Sequence, residues 1–311
     1  MGKLLTMLRN IMFQGVMGIL LAVGVTSCSV VPMTGRNRVM LVPDDAILQS
    51  SFQQYQEFIS KAPKSRNAAG VAQVRRIGER IARATEAYLN SIGMADDAKK
   101  YRWEFNLIAS DQANAFCMPG GKIVVYEGLM RFARTDDELA TVMSHEVAHA
   151  VAKHANERMS QSLLRQYGAG ILDLSLGGKS VAVRQAANAV YGIGSQMLVM
   201  LPYSRSHEYE ADQIGLYLMA LAGYNPSSAL SFWQKMNAGT KETVPELMST
   251  HPSHGNRIQR IKDELPKVAA FMGKGNAKPN VKNAPKPKLQ KKRNVEYIDN
   301  SKRKVPLKTH Y

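Results

Sequence analysis

Cysteine is almost missing from this chain: Cys28 and Cys117 are the only two in 311 residues. A disulfide-stapled scaffold is therefore excluded, and the fold must rest on its core. Long apolar runs are missing too. The stretch from Ile11 to Val25 falls short of the roughly 20 residues that span a bilayer, as does Ile193 to Leu201, which excludes a multi-span membrane enzyme. Acids are scarce, with 25 Asp and Glu against 41 Lys and Arg, a formal charge of +16. The excess is concentrated. From Gly273 onward there are twelve Lys/Arg, two acids, and Pro279, Pro285 and Pro287 among few apolar residues. Residues 273–311 thus read as a basic disordered tail, suited to an anionic surface such as lipid head groups or merely solubilising.

What is present begins with an export pattern. Lys3 and Arg9 precede the apolar Ile11–Val25 run, and residues 1–27 read as a signal peptide. Val25-Thr26-Ser27-Cys28 looks like a bacterial lipobox, which would make Cys28 the lipidated first residue of the mature protein. The implied location is the cell envelope, lipid-anchored and facing the periplasm, with Ser29 after the cysteine favouring the outer membrane. Nucleic acid is not an expected partner there. Residues 28–50, with Pro32, Gly35 and Pro43, read as a tether. Asp45 to Ser60 and Ala68 to Tyr88 read as amphipathic helices, the second with Val71, Val74, Ile77, Ile81 and Ala84 at helical spacing.

The chemistry is concentrated in Thr141–His154, which holds His145, Glu146 and His149 as H-E-x-x-H. Positions i and i+4 of an α-helix stand almost above one another, so both imidazoles can face one metal ion. Glu146, one residue further round, is placed to take a proton from water beside that metal, as a general base does. Asp136, Asp137 and Glu138 suit the first turn of that helix. Downstream, Tyr203–Gly215 carries Glu208 and Asp212, again four apart. A catalytic zinc takes three protein ligands and keeps one open position, which makes Glu208 the third ligand. Asp212 is suited to accept the free ring N–H of a ligating histidine. Glu210, about 200° round from Glu208, should face elsewhere. One Zn²⁺ per chain is expected.

H-E-V-A-H followed by S-R-S-H-E-Y-E-A-D-Q-I-G resembles the M48 peptidases, the gluzincin family that includes HtpX-like enzymes and periplasmic BepA/LoiP-type proteases. Asn114–Gly121 upstream and Thr250–Ile258 downstream match in the same order. The resemblance implies a mostly helical α+β, zincin-like domain over residues 51–272, with a small antiparallel sheet packed on the H-E-x-x-H helix. It implies His145, His149 and Glu208 as metal ligands and Glu146 as the catalytic glutamate. The expected activity is zinc-dependent endopeptidase hydrolysis of unfolded or misassembled envelope proteins; the alternative is a zinc-bearing chaperone or assembly factor in which cleavage is secondary.

Three segments keep two readings each. Ala113–Met118, Pro119-Gly120-Gly121 and Lys122–Tyr126 read as a hairpin, and Asn114, Ala115, Phe116 and Cys117 either border the substrate cleft or simply pack the sheet. His251, which the resemblance sets near the zinc, either stabilises an oxyanion or holds the metal latent. Arg158 to Met200 is either a mobile flap or ordinary packing. Cys117 reads as a small buried hydrophobe, and His154, His207 and His310 as solvated or structural.

Overall fold

The computed structural model describes residues 28–163, 203–238, 246–251, 256–272 and 281–286. The expected signal peptide, most of the expected flap, His254 and His310 lie outside them. A short ribbon of β1 (Cys28–Val30) and β2 (Asn37–Val39) leads into α1 (Asp44–Lys61) and α2 (Ala68–Ser91). After the one-turn α3 (Ala95–Ala98) come β3 (Glu104–Ile108), β4 (Ala115–Met118) and β5 (Lys122–Tyr126). The helical remainder comprises α4 (Asp136–Val151), a helical stretch over residues 154–163, α5 (Arg205–Leu221), α6 (Ser228–Asn237), α7 (Glu246–Thr250) and α8 (Asn256–Met272). The class is α+β and mostly helical, a zincin-like arrangement.

Helix α4 is the axis of the molecule. Thr135 caps it by accepting from the Glu138 N–H, and three acids in its first turn complement the exposed N–H groups. An ordinary surface helix hides one stripe; α4 is buried almost all round, from Glu138 through His149. Its apolar side chains Leu139, Val142, Met143 and Val147 join Val74, Ile77 and Ile81 of α2 and Ile214 and Leu218 of α5 in one core. Such burial is worth about 1.5–3 kcal/mol per large aliphatic side chain, which offsets the cost of placing charged groups on the same helix. At Gly215 α5 lies close against α4: a Cβ there would stand 3.2 Å from the His145 backbone nitrogen.

The sheet refines one expectation. The hairpin forms as read, with β4 antiparallel to β5 and Gly120 and Gly121 at φ 85° in the turn. The strand order, however, is β3-β5-β4, and β3 runs parallel to β5, so the three-stranded sheet is mixed. That order leaves β4 on the edge, packed against α4.

Residues 28–50 and residues 281–286, both in segments expected to be loose, pack on the body; the rest of the expected tail lies outside the described residues. Residues 28–50, read as a tether, contribute buried Val31, Met33, Val42 and Ile47. Tyr88 explains part of this: its hydroxyl accepts from the Met33 N–H at 2.8 Å and donates to the Pro285 carbonyl at 2.7 Å. The same contact draws residues 281–286 of the expected disordered tail onto α2, with Ala284 buried. Prolines mark both segments as irregular chain, yet the apolar residues beside them are buried.

Candidate metal centre

His145 and His149 stand one turn apart on α4, and their Nε2 atoms face each other at 3.0 Å. Helix α5 brings Glu208 between them, its oxygens 3.4 Å from each Nε2. His251, at the end of α7, completes the group: its Nδ1 lies 3.0 Å from Glu208 Oε1 and its Nε2 lies 3.3 Å from Glu146 Oε1. Ligand atoms of His145, His149, Glu208 and His251 all fall within 4.8 Å of one another, and all four residues are buried. The donors fit zinc. Three imidazoles and a carboxylate are its usual ligands, and Zn–N distances near 2.0–2.1 Å put tetrahedral donors roughly 3.3 Å apart.

The electrostatics agree. Glu146 Oε1 and Glu208 Oε2 are buried and accept no hydrogen bond, with His251 Nε2 (3.3 Å) near the first and Arg257 Nη1 (3.1 Å) near the second, so a metal ion or water would complete both. Burial and Arg257 oppose a proton on His145, yet Asp212 and Glu208 outweigh them and lift its pKa to about 9. Burial pushes His149 well down instead. Burial also raises the Glu146 carboxyl, against the pull of His251 and His145; the Cys117 backbone of β4 hydrogen-bonds this carboxylate. Burial drives the Cys117 thiol well above its ordinary value, which leaves it a packing residue.

The supporting residues hold the ligands by hydrogen bonds. Asp212 accepts from His145 Nδ1 at 2.9 Å. Glu210 turns to the other side of α5 and accepts from His154 Nε2 at 2.9 Å. Asn114 through Cys117 lie along the edge strand, with Ala115, Phe116 and Cys117 buried. Cys117 also lines a cavity of about 30 Å³ shared with His149 and Tyr203.

Sequence reasoning missed three participants. Arg257 of α8 grips Asp212 through Nε (2.6 Å) and Nη2 (2.8 Å), comes within 3.1 Å of Glu208, and lies 3.7 Å over the Trp233 ring. Its signal was present in the T-H-P-S-H-G-N-R-I segment, but an arginine there has no spacing rule. Tyr203 stacks on His149 at 3.9 Å between ring centroids. His154, read as solvated or structural, is fully buried 2.9 Å from His149, and burial lowers its pKa to about 4.

A buried His-His-Glu donor set with a second carboxylate beside it, on a mostly helical α+β frame, defines a zincin-like zinc metallopeptidase. Residues 71–265 match the profile of Peptidase family M48, and the chain belongs to that family. Over 273 residues it is 32% identical to the Mitochondrial metalloendopeptidase OMA1 of Schizosaccharomyces pombe, covering 84% of this chain and 74% of that protein. It is 39% identical over 159 residues to the Arabidopsis thaliana protein of the same name, covering 51% of this chain and 31% of that one. The Beta-barrel assembly-enhancing protease of Escherichia coli is 28% identical over 182 residues, covering 55% of this chain and 37% of its own length.

Proposed function

We propose that this chain is an endopeptidase of the cell envelope, hydrolysing peptide bonds in unfolded or misassembled proteins. The supporting observation is Glu146: a buried carboxylate with a free oxygen, adjoining the donor cluster and bonded to the backbone of an edge strand. Zinc supplies a Lewis acid and a water of lowered pKa. Glu146 takes the proton of the attacking water and returns it to the leaving amine. An extended substrate adding to β4 through main-chain bonds would be read with little regard to sequence, which suits unfolded chains. One relative's name, an assembly-enhancing protease, agrees with this substrate class. Other relatives are named as mitochondrial, so the envelope location rests on the lipobox-like Cys28, with the basic tail offering contact to anionic lipid. Among the described residues no helix is long and apolar enough to cross a membrane.

Glu146→Gln tests the reading. Zinc content should be unchanged while casein cleavage falls by about 10²–10⁴-fold; cleavage at the original rate would remove Glu146 from the mechanism. His251 lies between Glu208 and Glu146, which favours its filling the fourth zinc position and holding the site latent. His251→Ala then raises the basal rate, whereas a role on the oxyanion lowers it.

A further inference from the structure

Both ligating imidazoles need their outer nitrogen held, and the two are held differently. His149 directs Nε2 at the other donors, so that atom carries the lone pair and Nδ1 carries the proton. The Nδ1–H meets His154 Nδ1 at 2.9 Å, which must accept. His154 therefore carries its own proton on Nε2 and donates it to Glu210 Oε2 at 2.9 Å. The local backbone makes this possible. Lys153, at φ 54°, ends α4 in the left-handed conformation and turns the chain so that His154 comes back onto His149.

Glu210 is in turn fixed from the N-terminal ribbon. Arg36 donates to its Oε2 through Nε (2.9 Å) and Nη2 (2.6 Å), and Thr34 Oγ1 donates to Oε1 at 2.5 Å. The same guanidinium holds Glu157 through Nη1 and Nη2, both at 2.7 Å, and Glu157 accepts from His207, whose ring stacks on His154. Glu157 and Glu210 are both buried, so Arg36 is what lets two neighbouring carboxylates stay ionised. An ionised Glu210 is an acceptor only, and this gives the whole chain of protons its direction.

We propose that Arg36 is a positioning residue of the metal centre. Acting through Glu210 and His154, it fixes the tautomer and ring plane of His149. Arg36 and Thr34 lie outside the residues matched to the family, in the segment that begins at Cys28. How that segment seats therefore sets how tightly the ion is held. The proposal rests on His145, His149 and Glu208 being the zinc ligands.

Zinc affinity of the full chain, measured by competition with a chromophoric chelator, tests this. Arg36→Met and His154→Phe should each weaken zinc binding by about 10–100-fold, the usual effect of losing an outer partner. Arg36→Lys, which reaches one carboxylate, should recover part of that. Arg80→Met is the control: Arg80 ties α2 to the end of α5 through the Ala222 carbonyl, and its loss should lower the melting temperature of the metal-free protein without changing zinc affinity. If Arg36→Met fails to fold, the near-isosteric Glu210→Gln decides, with a loss of about tenfold expected. Unchanged zinc affinity in Glu210→Gln and Arg36→Met, whatever their melting temperatures, would make the arm purely structural and overturn the proposal. A wild-type chain that takes up no zinc would instead overturn the ligand assignment beneath it.

Discussion

The two ligating histidines of α4 are one helical turn apart and share a core, yet their supports are built on different plans. His145 is backed by Asp212 and Arg257, two residues from α5 and α8, with Arg257 only 1% exposed. His149 is backed by His154, Glu210 and Arg36, a longer route whose last member is 32% exposed. The first arm is short, ionic and closed to water. The second passes through a neutral imidazole and ends near the surface on a segment outside the family match. One histidine is thus backed from within the family-matched body, and the other from the N-terminal ribbon.

The largest expected effect lies where the arms meet. Glu208→Ala removes the carboxylate between the two imidazoles and should abolish stoichiometric zinc in metal analysis; retained zinc would name another ligand. Next comes Arg257→Met. It leaves Asp212 and Glu208 buried without their cation, which costs on the order of 3–5 kcal/mol in urea unfolding of the metal-free chain. Arg36→Met should cost clearly less, because the guanidinium is itself partly exposed and the two carboxylates keep hydrogen bonds from His154, Thr34 and His207. Equal losses would break the comparison. A smaller effect is expected at Gly215, where an added methyl group presses on the His145 backbone. Gly215→Ala should cost about 1–3 kcal/mol through overpacking and weaken zinc binding through His145 without touching the Arg36 arm.

How much of this was legible follows the same division. Residues at helical spacing declared themselves: His145, Glu146 and His149 on α4, Glu208 and Asp212 on α5, and Glu210 turned away. The hairpin was legible from Pro119-Gly120-Gly121 between two β-rich runs. What escaped depends on long-range docking. Arg36 meets Glu210 across most of the chain, and no local period reports such a pair. Val31 and Met33 looked like a tether because Pro32 and Gly35 mark turns, and a turn that packs reads the same as a turn that does not. The parallel pairing of β3 with β5 was hidden for a related reason, since strand order is a property of connections rather than of either strand.

Acidity offers the finest probe of the His149 arm. Burial would raise the carboxyls of Glu157 and Glu210, but hydrogen bonds from Arg36 and His207 to the first, and from His154, Arg36 and Thr34 to the second, hold both down to about 2. Both folded values lie below the ordinary 4.5. Their contribution to stability is therefore complete above about pH 4.5 and is lost as the pH falls towards 2. Asp212 and Glu208 are also held low, so the wild-type curve alone cannot separate the arms. The difference curve can. In Arg36→Met the two glutamates lose the guanidinium they share and titrate nearer their unfolded value, so the metal-free variant should lose stability less steeply between pH 4.5 and 3 than the wild type. Urea unfolding at steps across that range measures the two slopes; parallel curves would mean that the ion pairs at Arg36 contribute nothing to keeping either carboxylate ionised.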